Sequence, residues 1–403
     1  MVLHSFGQLH VVQCCDIMVE RGSVMEQEVV VTQNTNIQRA VDELCGKLKR
    51  RPGEYDAVIF MAAISYDFAE LSQEIKNRFT DCEVIGTSTA GEISPQGFLH
   101  DTIVLTTMYS PESKVRGVLV ENGSKYPVGS KHDIEAALQY CGIQCGNPMS
   151  GRNAFAIAFI NGVYNAEETI LSNFYAIIKN DNFPLAGGTA GFTGNEAKTF
   201  VSYNGKTTQD GAVMLFVKTS CKFDIRQEDI FNPTGKRMLV TASDPINRTI
   251  TSLDGKPAQT VYAQKLGVSE ADAAGITFEN PFGRYLNGAL HVAALSGFTP
   301  DKKIGLFARV VPNSTLEMMH IGDPKQKADE TCAGIKKAIP NPKFTLLMTC
   351  ITRTMAFDRM KIGSDIIRKY NNTFPTFCGF SCYGEQIGRI HCNQTLVSVV
   401  VGD

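Results

Sequence analysis

A seven-residue pattern, Gly-x-Ser-x-x-Gly-Glu, stands at Gly86-Thr87-Ser88-Thr89-Ala90-Gly91-Glu92 and returns near the far end of the chain at Gly379-Phe380-Ser381-Cys382-Tyr383-Gly384-Glu385. A third relative, Ala186-Gly187-Gly188-Thr189-Ala190-Gly191, keeps the small residues and the Thr-Ala-Gly of the first copy, with Phe192 where the others have Glu. Copies this far apart imply duplication, so the fold must place several equivalent glycine segments.

The surroundings repeat as well. A short apolar run, an amphipathic segment and a second apolar step precede each copy, so the unit reads strand, helix, strand. In the first unit the strand is 57–61, the helix carries Phe68, Leu71, Ile75 and Phe79, and residues 82–85 enter the glycines. In the second the strand is 154–160, and Ile170, Leu171, Phe174, Ile177 and Ile178 mark the helix. In the third the strand is 344–348, and Ile362, Ile366, Ile367 and Tyr370 mark the helix. A β run follows every copy, at 102–106, 212–217 and 396–401.

Between these units the sequence predicts a strand over 28–32, a helix over 36–49 stopped by Pro52-Gly53, and a hairpin about Asn204-Gly205 joining 199–203 to 212–217. Strands over 290–294, 304–310 and 316–321 read as antiparallel. The fold class expected is α/β: repeated strand-helix-strand units forming mixed sheets covered by helices, in two pseudosymmetric halves. Residues 1–27 read as an arm or extension, 28–225 as one domain and 226–403 as another, with 232–236 as the boundary region.

A chain of 403 residues with 43% hydrophobic and 20% charged residues and a formal charge of −2 can bury a large core. It has no basic block for nucleic acid. The longest apolar runs are about half a membrane span, and no secretory signal opens the chain, so a cytoplasmic location without membrane insertion is expected. The 12 cysteines read as reduced thiols. Cys378, Cys382, His391 and Cys392 lie close in sequence, which admits a zinc site, although such sites show tighter pairs. A Cys–His dyad is the other chemical use of this group.

Glycine turns at strand ends can aim backbone N–H groups at a carboxylate or phosphate. On that reading Gly86, Ser88, Gly91, Gly379, Ser381 and Gly384 cradle a ligand, and Glu92 and Glu385 receive its ammonium. The alternative is that the glycines serve tight strand packing while the Glu side chains satisfy local donors. Arg353, just past the third strand, either meets an anionic ligand or pairs with Glu385 or Asp358. Tyr383 and Asn393 are expected at the same site, and Asn393 with Thr395 equally suits backbone bonding. The serine spacing departs from the hydrolase elbow, and Walker, dinucleotide and zinc-helix motifs are absent. No enzyme is expected.

These residues resemble the FIST family, named for F-box and intracellular signal transduction proteins. In the N-terminal half the resemblance rests on 84–92 and 185–191. In the C-terminal half it rests on Val240-Thr241, on 253–258 and 350–353, on Gly379-Phe380 with Tyr383-Gly384-Glu385, and on Asn393-Gln394-Thr395. The resemblance implies a cytoplasmic sensory protein that binds a small ligand such as an amino acid and signals through a separate partner. Some family members bind haem to sense nitric oxide and regulate a histidine kinase or a cyclic-di-GMP enzyme. For that alternative His291 and His320 are the axial candidates, although Asn280 stands where a haem-binding member is expected to carry His. A non-catalytic adaptor is the remaining alternative, because FIST regions occur in F-box proteins.

Overall fold

The computed structural model describes residues 25–286 and 289–403. Most of the expected 1–27 arm lies outside the described residues, and where they begin, Met25 is buried and Glu26–Thr32 is a strand.

The three units form three six-stranded sheets with one strand order. The first runs Glu26–Thr32, Ile103–Tyr109, Ala57–Ala63, Glu83–Thr89, Val201–Tyr203, Lys206–Thr208. The second runs Lys114–Glu121, Gly211–Lys218, Ala154–Asn161, Leu185–Ala190, Glu385–Ile387, Ile390–Cys392. The third runs Lys222–Asp229, Thr395–Gly402, Pro342–Cys350, Cys378–Cys382, Glu92–Ser94, Gly97–Leu99. In each, the middle pair is parallel and joined through a helix, and its neighbours are antiparallel. The recurrence is therefore among three units, and no symmetry between two halves is read from it.

The last two strands of every sheet come from a different unit. The hairpin 92–99 of the first unit pairs with Cys378–Cys382 of the third. The third unit's hairpin, 385–392, pairs with Leu185–Ala190 of the second. The second unit's hairpin, 201–208, pairs with Glu83–Thr89 of the first. This corrects the expected pairing of 199–203 with 212–217. Asn204 and Gly205 do take positive φ, as a tight hairpin turn requires, but the return strand is Lys206–Thr208.

Side-chain alternation explains the unbroken apolar runs. Ile59 and Met61 face a core shared by all three sheets, with Phe155, Phe159, Phe344, Met348 and Phe380, whereas Val58, Phe60 and Ala62 face the helices Ile37–Lys47 and Phe68–Arg78. A strand buried on both faces has no polar side to show. Helices Lys131–Tyr140 and Glu167–Ile178 cover the second sheet, and Pro324–Ala338 and Gly363–Thr373 the third. Ile351–Met360 is an additional helix, directly after the strand Pro342–Cys350.

A fourth, antiparallel sheet, from Phe231–Asp244 to Thr315–Ile321, packs on helix Ala258–Leu266 around Tyr262 and Phe282. The expected boundary segment 232–236 lies within the strand Phe231–Asp244, where the register shifts between Pro233 and Arg237.

Two glycines are set by close packing. A Cβ on Gly86 would lie 2.2 Å from the Phe60 ring, and one on Gly379 would lie 2.0 Å from the Leu347 carbonyl oxygen. Gly46, in the first helix, has nothing within 4 Å of that position. Gly379→Ala should cost about 1–3 kcal/mol or more in urea unfolding, whereas Gly46→Ala should add about 0.5–1 kcal/mol. Equal midpoints for the two variants would contradict this packing.

Candidate functional site

The three glycine segments converge, but on one another. Ala90 N–H donates to Ser381 O (2.9 Å) and Ser381 N–H to Gly91 O (2.7 Å). Gly191 N–H donates to Ser88 O (3.0 Å), Thr189 N–H to Gly384 O (2.8 Å) and Tyr383 N–H to Thr189 O (3.0 Å). Each segment thus bonds to both others. Gly86 to Thr89 and Cys378 to Cys382 are strand rather than turn, and the left-handed bend falls on Gly91 (φ 136°) and Gly384 (φ 135°). The amides of Ser88, Ala90, Thr189, Gly191, Ser381 and Tyr383 thus already have backbone partners and are not turned to a ligand.

The predicted polar groups are likewise committed. Ser88 is fully buried; its hydroxyl donates to Gly191 O at 2.8 Å and accepts from Phe200 N–H at 3.0 Å. Ser381 Oγ lies 3.0 Å from Thr354 Oγ1. Glu92 and Glu385, both fully buried, take the same pose: each carboxyl receives the amide and hydroxyl of a threonine at the entry to the next long strand, Ile103–Tyr109 or Thr395–Gly402. For Glu92 this is Thr102, at 3.2 and 2.6 Å. For Glu385 it is Thr395, whose amide is 3.1 Å away. They brace hairpins and are not placed to meet an ammonium. Burial raises the pKa of Glu92 to about 7 and that of Glu385 to about 8, despite these hydrogen bonds.

Arg353 is 1% exposed and ion-paired with Glu228, with Thr349 Oγ1 at 3.1 Å and the Phe357 ring centroid at 4.6 Å. Its partner is neither of the carboxylates expected. The strand Lys222–Asp229 supplies Glu228, a pairing the separation in sequence concealed.

A cavity of about 510 Å³ opens beside this knot, lined by Gly162, Asn165, Glu167, Arg248, Ala294, Phe307, Cys350, Ile351, Thr352, Met355, Tyr383 and Asn393. Of the residues proposed from sequence, Tyr383 and Asn393 are on its wall; Gly86, Ser88, Gly91, Glu92, Arg353, Gly379, Ser381, Gly384 and Glu385 are not. Tyr383 is held by its hydroxyl, which donates to Phe192 O at 2.7 Å, and by an edge-on contact with the Phe192 ring. Asn393 is 1% exposed; its Oδ1 accepts from Ala294 N–H at 3.4 Å while its Nδ2 has no partner.

One wall is charged. Arg248, 4% exposed, reaches Glu167 (2.5 Å), Glu168 (2.6 Å) and Asn165 (3.0 Å). Glu168 also accepts the Arg309 amide at 2.7 Å. Behind it Arg284 donates to the carbonyls of Arg309 and His391 at 2.6 and 2.7 Å, and burial lowers its pKa. Another part of the lining is the start of helix Ile351–Met360, where the Cys350 thiol lies 3.1 Å from Thr352 Oγ1, with Phe307 and Met355 half-exposed. Sequence reasoning missed Glu167, Arg248 and Phe307. The usable signal was position: Gly162 and Cys350 sit at the carboxyl ends of the central strands, where α/β sheets bind ligands.

The histidines do not fit a haem ligand set. His291 is buried with Nδ1 2.8 Å from Gln227 Oε1, and burial lowers its pKa to about 4. His320 is an exposed residue of the strand Thr315–Ile321, and neither lines the cavity. His391 bonds Gln386 and Phe307 O through its ring nitrogens, so it pairs with neither Cys378 nor Cys382. Among the described residues no group of three His, Cys, Asp or Glu side chains could hold a metal, and no disulfide joins the described cysteines. No described helix is long and apolar enough to cross a membrane.

The FIST N domain model matches residues 56–256 and the FIST C domain model residues 258–388. The uncharacterized protein MJ1623 of Methanocaldococcus jannaschii is 26% identical over 230 residues, which is 56% of this chain and 43% of that protein; the chain thus spans less than half the length of this relative. A solved cyanuric acid hydrolase aligns over 66% of this chain and 85% of its own at 8% identity, with a TM-score of 0.29. That superposition is too loose to relate the two folds.

The buried glutamates set a pH dependence. The raised pKa of Glu385 means the folded chain holds a proton that the unfolded chain releases. The stability so gained is complete below the ordinary value of 4.5 and is lost as pH rises through about 8. Urea midpoints taken at about pH 5.5, 7 and 8.5 should fall in that order, and Glu385→Gln should flatten the fall. A Gln variant that loses stability as steeply as the native chain would show that Glu385 is ionised throughout.

Proposed function

The chain belongs to the FIST family, a sensory domain associated with signal transduction, and from that premise we propose that it is a non-enzymatic sensor whose small ligand, an amino acid or a molecule of similar size, occupies the cavity beside Tyr383 and Asn393. One observation carries the reading: the cavity is walled by both domains. Gly162, Asn165, Glu167 and Arg248 come from the N-domain match, and Ala294, Phe307, Cys350 and Tyr383 from the C-domain match. Its volume suits a small metabolite.

A ligand held between the domains changes how firmly they seat. Arg309 already spans the junction, with its amide on Glu168 and its Nη2 on Thr169 Oγ1 at 2.7 Å. Occupancy adds contacts to the same junction, and a state that binds ligand better gains population by that difference in affinity. A separate signalling protein reads the shift; histidine kinases and cyclic-di-GMP enzymes are the partner class that the family resemblance supplies. The described histidines give a haem sensor no support, since neither expected axial residue lines the cavity.

The purified chain, melted against a panel of amino acids and small organic acids, should be stabilised by about 2.7 kcal/mol by its ligand at one hundred times Kd. Met355→Trp should abolish that stabilisation while leaving the unliganded melting point near the native value, because Met355 is 42% exposed at the rim. Stabilisation that survives Met355→Trp would move the ligand elsewhere.

A further inference from the structure

We propose that the cavity recognises the carboxylate of a small acid with an apolar tail, and that an ammonium group is not part of what it reads. The inference rests on the cavity being the ligand site. Three observations carry it.

The first is charge. At the wall Arg248 meets Glu167 and Glu168, and behind it Arg309 meets Glu168 while Arg284 rests on the carbonyls of Arg309 and His391. Guanidinium groups stay protonated in proteins, so at and behind this wall three cations stand against two carboxylates. Both carboxylates are already engaged by Arg248, which leaves an incoming ammonium no uncommitted anion there.

The second is the helix start in the lining. Ile351 and Thr352 begin a ten-residue helix whose cap residue, Cys350, has only a thiol to offer, 3.1 Å from Thr352 Oγ1, and all three line the cavity. First-turn amides and the helix dipole favour an anion at this end. The third is Asn393. Its Nδ2 is a donor without an acceptor, in a side chain 1% exposed that lines the same cavity. A buried unmade donor is costly, and a carboxylate at the helix start would supply the acceptor. The rim fits the rest of such a molecule: Phe307 and Met355 are 44% and 42% exposed and offer apolar surface to a tail leading outward.

Calorimetric titration of the full chain with 3-phenylpropionate, L-phenylalanine and 2-phenylethylamine separates the groups. Both acids should bind and the amine should not. Asn393→Asp, which turns the donor into an anion of the same shape, should weaken both acids by about tenfold or more. Met355→Trp should block them, and circular dichroism of both variants checks that the fold is kept. If the amine binds and Met355→Trp blocks it, the cavity is a receptor but the carboxylate assignment is wrong. Acids that bind Asn393→Asp as tightly as the native chain overturn the role of Asn393. If none of the three binds while another class of metabolite stabilises the chain in a way Met355→Trp abolishes, the carboxylate inference falls and the sensor reading stands; if nothing does, both fall.

Discussion

The fold hangs on a ring of backbone hydrogen bonds among three glycine segments, 88–91, 189–191 and 381–384, each bonded to the other two. Each bond contributes only about 1 kcal/mol net, but a buried amide left without its partner costs about 1–3 kcal/mol, so the ring is held more by the penalty of opening it than by the gain of any one bond. At two of its positions the packing leaves no room for a side chain. A Cβ on Gly191 would stand 2.9 Å from the Ala90 nitrogen, and one on Gly384 would stand 2.4 Å from the His391 ring.

The exchange of hairpins makes the ring a condition for completing the sheets. Without 92–99 the third sheet ends at Cys378–Cys382; without 385–392 the second ends at Leu185–Ala190. Each of these is a buried strand that would become an open edge, with unpaired N–H and C=O groups ready to join another chain. Glu92 with Thr102 and Glu385 with Thr395 hold two of the three hairpins by the same contact, which explains why the Glu of the repeated pattern is kept there. The second unit lacks that Glu. Its hairpin is tied instead by Asn161 Nδ2, which donates to Thr199 O at 3.0 Å, and by Ser88 Oγ on Phe200 N–H.

Local elements were legible because the strands and helices carry their own periodicity. The run at 57–61 became Ala57–Ala63, and Phe68, Leu71, Ile75 and Phe79 are all buried on or just after one helix. The destination of each hairpin was not legible, since nothing within 201–208 says that its partner is Glu83–Thr89 rather than the strand next in sequence. The glycines admitted two uses, a ligand cradle or tight packing, and local sequence cannot choose between them because both ask for an absent Cβ. Packing accounts for the geometry. Arg353 is expected from sequence to meet an anionic ligand or to pair with Glu385 or Asp358, but its partner, Glu228, depends on which strand lies beside Thr395–Gly402.

The site illustrates the same limit at a larger scale. The three central strands, Ala57–Ala63, Ala154–Asn161 and Pro342–Cys350, end at comparable places, yet the carboxyl ends do not share one fate. Beside the first, where Ala63 N–H is bonded to Thr102 O, the nearby hollow is lined by residues of its own unit and of the segment before it, Thr32, Asn34, Gln96 and Thr102 among them. Beyond the second and third, Gly162 and Cys350 face the cavity, because residues of the fourth sheet and its connections, Arg248, Ala294 and Phe307, stand over them rather than fill the space between. Three like units thus give equivalent strand ends, and an unlike fourth sheet selects among them. The duplication that organises the sequence therefore cannot by itself disclose the lining of this cavity: Arg248 and Phe307 belong to no copy of the repeat, and they give a junction made from repeated parts its charge and its apolar rim.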